Sequence, residues 1–321
     1  MSSSSYRPDR TPLVSPGQAE LHARDMTATL SGEVTLAEAQ RRLAEVGQWL
    51  PIDGDPSATL RELVEQNSTG PLRLGYGAWR DLLLGVQFQN GRGELITAGG
   101  RVVKNVAGYD LTKFIVGSSG IFGQIITLTT RTWLRPGGVL IARLPRTTKI
   151  IGDLVATAMK PQWAMLAGDF LSLGYHGNAA AIEYFRSKIN DLKPLEVVER
   201  SIEQDDQERA AVWKLTGETA FRAAVPPARL LDFVEQLTSV SWAADAAFGI
   251  VLGSNVPQNN FPEIRKLAQS IGGTASFWKR NSTGWKLLDV STNAPDRQII
   301  ERLKAAFDPD GNLHPLPWQI R

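Results

Sequence analysis

The sequence predicts an α+β chain of two domains, and three observations carry that prediction. Its 321 residues exceed the roughly 100–200 usual for one domain. Helix and strand signals are mixed without regular βαβ repetition. The stretch from Gly99 to Pro136 sets a strand, a short helix and a long β-branched strand around two glycine turns.

Composition narrows the class. A hydrophobic share of 42% and a charged share of 21% are those of an ordinary globular protein, and a formal net charge of +2 offers no basic face for nucleic acid. With no cysteine, disulfides, thiolate metal sites, iron–sulfur ligation and flavin attachment through sulfur are excluded. The N-terminal MSSSSYRPDR lacks the apolar core of a signal peptide, and no apolar run approaches the roughly 20 residues that span a bilayer. The expectation is a soluble, cytoplasmic protein that reaches a membrane only through partner subunits.

In the first half, Met26 to Val34 alternates as a strand would, broken at Gly32. Thr35 is placed to cap a helix over Leu36 to Val46, whose Leu36, Ala39, Leu43 and Val46 share a face and which Gly47 ends. A short strand follows from Gln48, then a second helix over Ala58 to Gln66 and a loop over Asn67 to Pro71. Leu82 to Phe88 is a strand, and Asn90-Gly91 turns it into another at Glu94 to Thr97. Val102 to Val106 has strand chemistry, Leu111 to Val116 makes a short helix, and Ile125 to Thr132 alternates as a half-buried strand. Between the last two, Gly117, Ser118, Ser119, Gly120 and Gly123 bring backbone N–H groups close to a neighbour; no Cβ stands in the way of a phosphate, ribose or flat ring.

The second half predicts helices over Ala156 to Ala167, Ala179 to Leu192, Glu203 to Leu215, Ala228 to Thr238, Pro262 to Ile271 and Pro295 to Phe307. Strands are expected over Thr219 to Val225, Phe248 to Leu252 and Thr274 to Lys279. That order suits an antiparallel sheet covered on one face by helices.

The match VxKNxAGYDLxKxxxGSxGxxGxI is carried by Val102, Lys104, Asn105, Ala107, Gly108, Tyr109, Asp110, Leu111, Lys113, Gly117, Ser118, Gly120, Gly123 and Ile125. Arg73, Gly75, Gly77, Arg80 and Asp81 lie upstream of it. With these residues the chain resembles the flavin-binding domain of the vanillyl-alcohol-oxidase (PCMH) type, and within it the E subunit of bacterial glycolate oxidase. The resemblance extends through Val34-Thr35-Leu36-Ala37-Glu38 and Gly47 to Pro51. It runs more loosely through Arg222 to Pro227, Gly272-Gly273 and Lys304 to Pro309. It implies a truncated PCMH-type FAD-binding domain over 1–140 and an FAD-linked oxidase C-terminal (cap) domain over 141–321.

What the resemblance implies for function is non-covalent FAD and oxidation of glycolate or a related small 2-hydroxy acid by hydride transfer to the flavin. The setting would be a complex with a catalytic flavoprotein and an iron–sulfur subunit. Gly117, Ser118, Gly120, Gly123 and Ile125 would run along the cofactor by backbone contacts, while Ser68, Gly70 and Arg73 would lie near its diphosphate and ring. Arg222, on a cap strand, is the candidate for holding the substrate carboxylate.

The chain also departs from the family's pattern. The expected proline–arginine–glycine loop does not precede Pro12. The family's Ala-Thr-(Ile/Leu)-Gly-Gly stands here as Ala58-Thr59-Leu60-Arg61-Glu62, and its Leu-Asn-Pro-Gly-Arg ending as Leu313-His314-Pro315-Leu316-Pro317-Trp318. These departures support an alternative, a non-catalytic paralogue that keeps the fold to bind partners. Plainer readings stand beside the functional ones. The glycines can form a tight turn, and Lys104, Asn105, Tyr109 and Asp110 can stabilise it. Arg73, Arg80 and Asp81 can form a structural ion pair, and Arg222 can be a surface residue. His22, His176 and His314 are scattered without metal-ligand spacing. Trp278, Trp285 and Trp318 fall late in the chain and suggest a partner surface.

Overall fold

The alternation of apolar and hydroxyl residues in two segments builds the first sheet. In the computed structural model, which describes residues 12–100, 110–238, 240–281, 284–289, 297–316 and 318, these segments are β2 and β6. The strands of this part are β1 (Ala19–His22), β2 (Thr27–Ser31), β3 (Gln48–Trp49), β4 (Leu83–Gln89), β5 (Leu95–Gly99), β6 (Gln124–Arg131) and β7 (Trp133–Leu134). Five form an antiparallel sheet in the order β1-β2-β6-β4-β5, while β3 pairs β7. Leu30 opposes Leu128 on one face and Thr29 opposes Thr129 on the other. The hydroxyl face is buried as well as the apolar one: Thr29 and Thr129 share a hydrogen bond of 3.0 Å, and Thr127 Oγ1 donates to Gln87 Oε1 at 2.9 Å. A strand that reads as half-buried thus has two covered faces, because its polar side satisfies itself across strands.

Helices Leu36–Ala44 and Leu60–Glu65 pack on the apolar face through Leu36, Ala39, Leu43, Leu60, Leu63 and Val64. Thr35 caps the first, accepting from the N–H of Glu38 at 3.2 Å. Thr59 and Glu62 form a reciprocal capping box on the second.

The remaining strands are β8 (Gly138–Pro145), β9 (Trp163–Ala167), β10 (Phe170–Gly177), β11 (Glu196–Arg200), β12 (Thr219–Ala224), β13 (Ser241–Asp245), β14 (Ile250–Ser254), β15 (Thr274–Asn281) and β16 (Gly284–Asp289). They make one antiparallel sheet in the order β11-β8-β10-β9-β13-β14-β12-β15-β16. Cross-strand register sets Leu166, Ala244, Val251, Ala223 and Ala275 in one row, all buried. Helices Leu230–Val234 and Phe261–Ser270 add Leu230, Phe233, Val234, Ile264 and Ala268 to the same core. The next row, Ala167, Ala243, Leu252, Arg222 and Ser276, points to the opposite face.

The helix expected over Ala156 to Ala167 is not formed. A short helix, Ile151–Val155, precedes it, and Trp163–Ala167 is a sheet strand between β10 and β13. A short apolar run has no period that separates a buried strand from a helix, and sheet pairing overrides the helix preference of Ala, Met and Leu. Contacts divide the chain into two units: one holds 12–69, 77–135 and the C-terminal segment, the other Gly70–Tyr76 and the described residues from Pro136 to 289. Besides moving the boundary from 140 to 135, this differs from the expected cut in two places. The last helix, Arg297–Phe307, joins the first unit, and the Gly70–Tyr76 segment joins the second.

Candidate functional site

The glycine turn after helix Leu111–Ile115 does the work of a helix cap. The C-terminal turn of helix Leu60–Glu65 leaves carbonyl oxygens without intrahelical donors. Gly117 N–H donates to the Val64 carbonyl at 3.0 Å, and Ser119 N–H to the Glu65 carbonyl at 2.8 Å. Ser118 N–H donates to the Ile115 carbonyl at 3.2 Å. Farther on, Ile125 N–H donates at 3.2 Å to the Glu65 carboxylate itself. Burial raises the pKa of that carboxyl above its ordinary value, while the Ile125 hydrogen bond, Arg61 and His314 oppose the shift. Arg61 and Glu62 also have local roles: Arg61 N–H donates to the Gly32 carbonyl at 2.9 Å, and Glu62 Oε2 accepts from Thr59 N–H at 2.8 Å.

Two of the glycines are explained by their neighbours. Gly120 has a φ of +71°, and a Cβ there would lie 3.0 Å from His314 Cδ2 and 3.2 Å from Glu65 Oε2. A Cβ on Gly123 would lie 2.4 Å from Phe88 Cδ2, inside van der Waals contact with a fully buried ring. The C-terminal segment covers the turn: Leu316 packs with Ile121 and Phe122, and Trp318 borders the same cluster. That segment is anchored by buried Asp308, which accepts from Asn312 N–H at 2.7 Å, Leu313 N–H at 3.0 Å and Lys304 Nζ at 2.5 Å. The Ser118 hydroxyl is buried without a hydrogen-bond partner among the described residues.

Of the other residues assigned to the cofactor by resemblance, Ser68 lies in the first unit, its Oγ 3.4 Å from the Asp53 carbonyl. Gly70 and Arg73 lie in the second. There Arg73 Nε stands 3.4 Å from Asp245 Oδ2, and its guanidinium lies 3.7 Å above the Phe248 ring centre. Arg73 therefore pairs with Asp245, whereas Asp81 accepts from Ala78 N–H at 2.9 Å. Gly75 belongs to the same segment: its N–H donates to the Gln162 carbonyl at 2.9 Å, and a Cβ there would lie 2.7 Å from Gln162 Cα.

Arg222 shares the electrostatic neighbourhood of Arg73. It is exposed on the row opposite the helix-covered face. Surrounding protein bulk and then the charge of Arg73 lower its pKa, and Asp245 opposes them. Arg222 thus lies within electrostatic reach of both Arg73 and Asp245, and no carboxylate reaches ion-pair distance of it among the described residues. Such a surplus cation suits a carboxylate ligand.

Sequence reasoning missed Glu65, since a glutamate late in an amphipathic helix carries no mark of inward placement. It also missed a buried relay in the second unit. Tyr76 Oη lies 2.8 Å from His176 Nδ1, His176 Nε2 lies 3.3 Å from Asp205 Oδ2, and Arg209 pairs with Asp205. Burial pushes the Tyr76 hydroxyl above its ordinary pKa. Val102, Lys104, Asn105, Ala107, Gly108 and Tyr109 lie outside the described residues. Trp278 stands on β15 of the second unit, and Trp318 packs in the first. Among the described residues, no group of three or more acidic, histidine or cysteine side chains is placed to hold a metal, and no helix is long and apolar enough to cross a membrane.

Residues 16–99 match the FAD binding domain model. The glycolate oxidase subunit GlcE of Escherichia coli is 28% identical over 291 residues, covering 87% of this chain and 78% of that protein. The glycolate oxidase subunit GlcD of Bacillus subtilis is 27% identical over 202 residues, or 58% of this chain and 42% of that one. A solved structure of alkyldihydroxyacetonephosphate synthase superposes with a TM-score of 0.61 at 16% identity, over 90% of this chain and 63% of that one. This chain thus spans less than two thirds of the last two. It resembles the E subunit of bacterial glycolate oxidase and has the α+β fold of the PCMH-type FAD-binding superfamily.

Proposed function

We propose that this chain is an E-type subunit of an FAD-linked oxidoreductase assembly of glycolate-oxidase type, which oxidises glycolate or a related small 2-hydroxy acid to the 2-oxo acid. The observation that carries this reading is the reach of the GlcE likeness, which runs over 87% of the chain. The reaction releases two electrons. With no cysteine to ligate an iron–sulfur cluster, this chain passes them to none of its own. A flavoprotein and an iron–sulfur subunit are therefore the expected partners. On the cap sheet, Arg222 beside Arg73 is the proposed contact for a substrate carboxylate, a bidentate, charge-assisted pair.

The test is co-expression of the tagged chain with a D-type flavoprotein and an iron–sulfur subunit. Glycolate-dependent dye reduction should co-purify with the tag and should fall when this chain is omitted. A chain that elutes alone, beside a flavoprotein fully active without it, would overturn the reading.

A further inference from the structure

The turn that marks the family is closed by the chain's own groups. Its N–H groups at Gly117 and Ser119 are taken by the last carbonyls of helix Leu60–Glu65, and the N–H of Ile125 is taken by the Glu65 carboxylate. The second oxygen of that carboxylate lies 3.2 Å from where a Gly120 Cβ would stand, and His314 approaches the same point. Ile121 and Phe122 are covered by Leu316. At the start of the same helix, Glu62 occupies the N–H of Thr59. A diphosphate brought to the turn would meet the Glu65 carboxylate in place of free donors, and a ring edge aimed at Ile125 would meet an occupied N–H. The residues present do not fit FAD at this turn.

We infer that Glu65 is the built-in anion of the glycine turn, standing where a ligand's acceptor would bind, and that this chain folds with the turn closed and takes no FAD through it. In the assembly proposed above, the flavin is then carried by a partner. The turn serves as a helix cap and as the seat of the C-terminal segment. The unpartnered Ser118 hydroxyl is one donor left over beside several that are filled.

The test measures the thermal midpoint of the isolated full-length chain with and without excess FAD, together with amide exchange at 117–125. A ligand that binds only the folded chain raises the midpoint. The expected result is no FAD-dependent rise and no slowing of exchange at 117–125, for the natural chain and for E65Q, which keeps an acceptor for Ile125. E65A should melt about 2 °C lower, because the Ile125 N–H loses its partner. An FAD-dependent rise with exchange at 117–125 unchanged agrees with the closed turn and sends the flavin elsewhere. A rise accompanied by slowed exchange at 117–125 would overturn the inference, as would E65A melting like the natural chain. The outcome is separable from the assembly reading: FAD that slows exchange at 117–125 in the isolated chain, alongside an active complex, sinks this inference and leaves that reading standing.

Discussion

The glycine turn of the first unit and the arginine face of the second carry opposite electrostatic situations. At the turn, the N–H groups of Gly117, Ser119 and Ile125 meet the Val64 and Glu65 carbonyls and the Glu65 carboxylate, so these backbone donors are satisfied from within. In the second unit, Arg73 pairs with Asp245, and Arg222 feels both charges while making no ion pair of its own among the described residues. The difference separates a turn whose donors are largely taken by the chain itself from the face where a carboxylate contact is proposed. Residual polar capacity, rather than glycine content, identifies where a ligand gains free energy.

The largest expected effect is on the cap side. Asp245 is 1% exposed, and removing its cation leaves a buried carboxylate with less compensation. R73A should lower unfolding stability by about 3 kcal/mol in a denaturant titration. A loss near zero would show that Asp245's other partners carry the charge and that the arginine pair is not coupled through it.

Next comes the turn. G123A places a methyl group 2.4 Å from a ring carbon of buried Phe88, and overpacking of that kind costs about 1–3 kcal/mol. Chemical denaturation reads the cost without any cofactor present. If G123A were as stable as the natural chain, the glycine would be explained by a ligand and not by packing. E65A should cost about 1 kcal/mol, the penalty of an unpaired buried N–H.

The pH dependence of Glu65 sharpens that point, and its sign can be worked out. Burial raises its pKa in the folded chain, so the folded form binds the proton more tightly than the unfolded one. The penalty of the charged form is complete above the folded pKa and fades as pH falls toward the ordinary glutamate range. E65Q should therefore be the more stable protein at neutral pH, and its advantage should shrink on acidification. Arg61, Glu62 and His314 face the same carboxyl, and R61A, which removes a stabilising cation, should widen the E65Q advantage. Thermal midpoints across a pH series check both statements; an advantage that grows on acidification would contradict the assigned shift.

The local grammar of the first unit was legible in the sequence because its signals are short-range. Thr35 and Thr59 announce caps, Gly47 ends a helix, and Asn90-Gly91 turns a hairpin. The sheet of the second unit was harder, since β9 with β13 and β12 with β15 pair across long stretches of chain, and Trp163–Ala167 is apolar enough to serve either state. The family stretch shows the same limit at the site. Its glycines were readable, but the acceptors they meet come from a helix more than 50 residues earlier, the tail that packs on them lies nearly 200 later, and Glu65 has no local signature.

The smallest effect on stability tests the other half of the comparison. Arg222 is exposed and makes no ion pair among the described residues, so R222A should leave unfolding stability within about 0.5 kcal/mol. In the proposed role its effect is on binding. A carboxylate held by a charge-assisted pair loses about 1.5–3 kcal/mol when the guanidinium is removed, roughly tenfold or more in affinity. Glycolate titrated onto the assembly, and followed by calorimetry or by the dependence of dye reduction on substrate concentration, reads that loss. R222K keeps the charge and loses the fork, so it should fall between the two if the contact is bidentate. Full affinity in R222A would return Arg222 to the solvated surface, and the surplus charge would have to be explained by Arg73 alone.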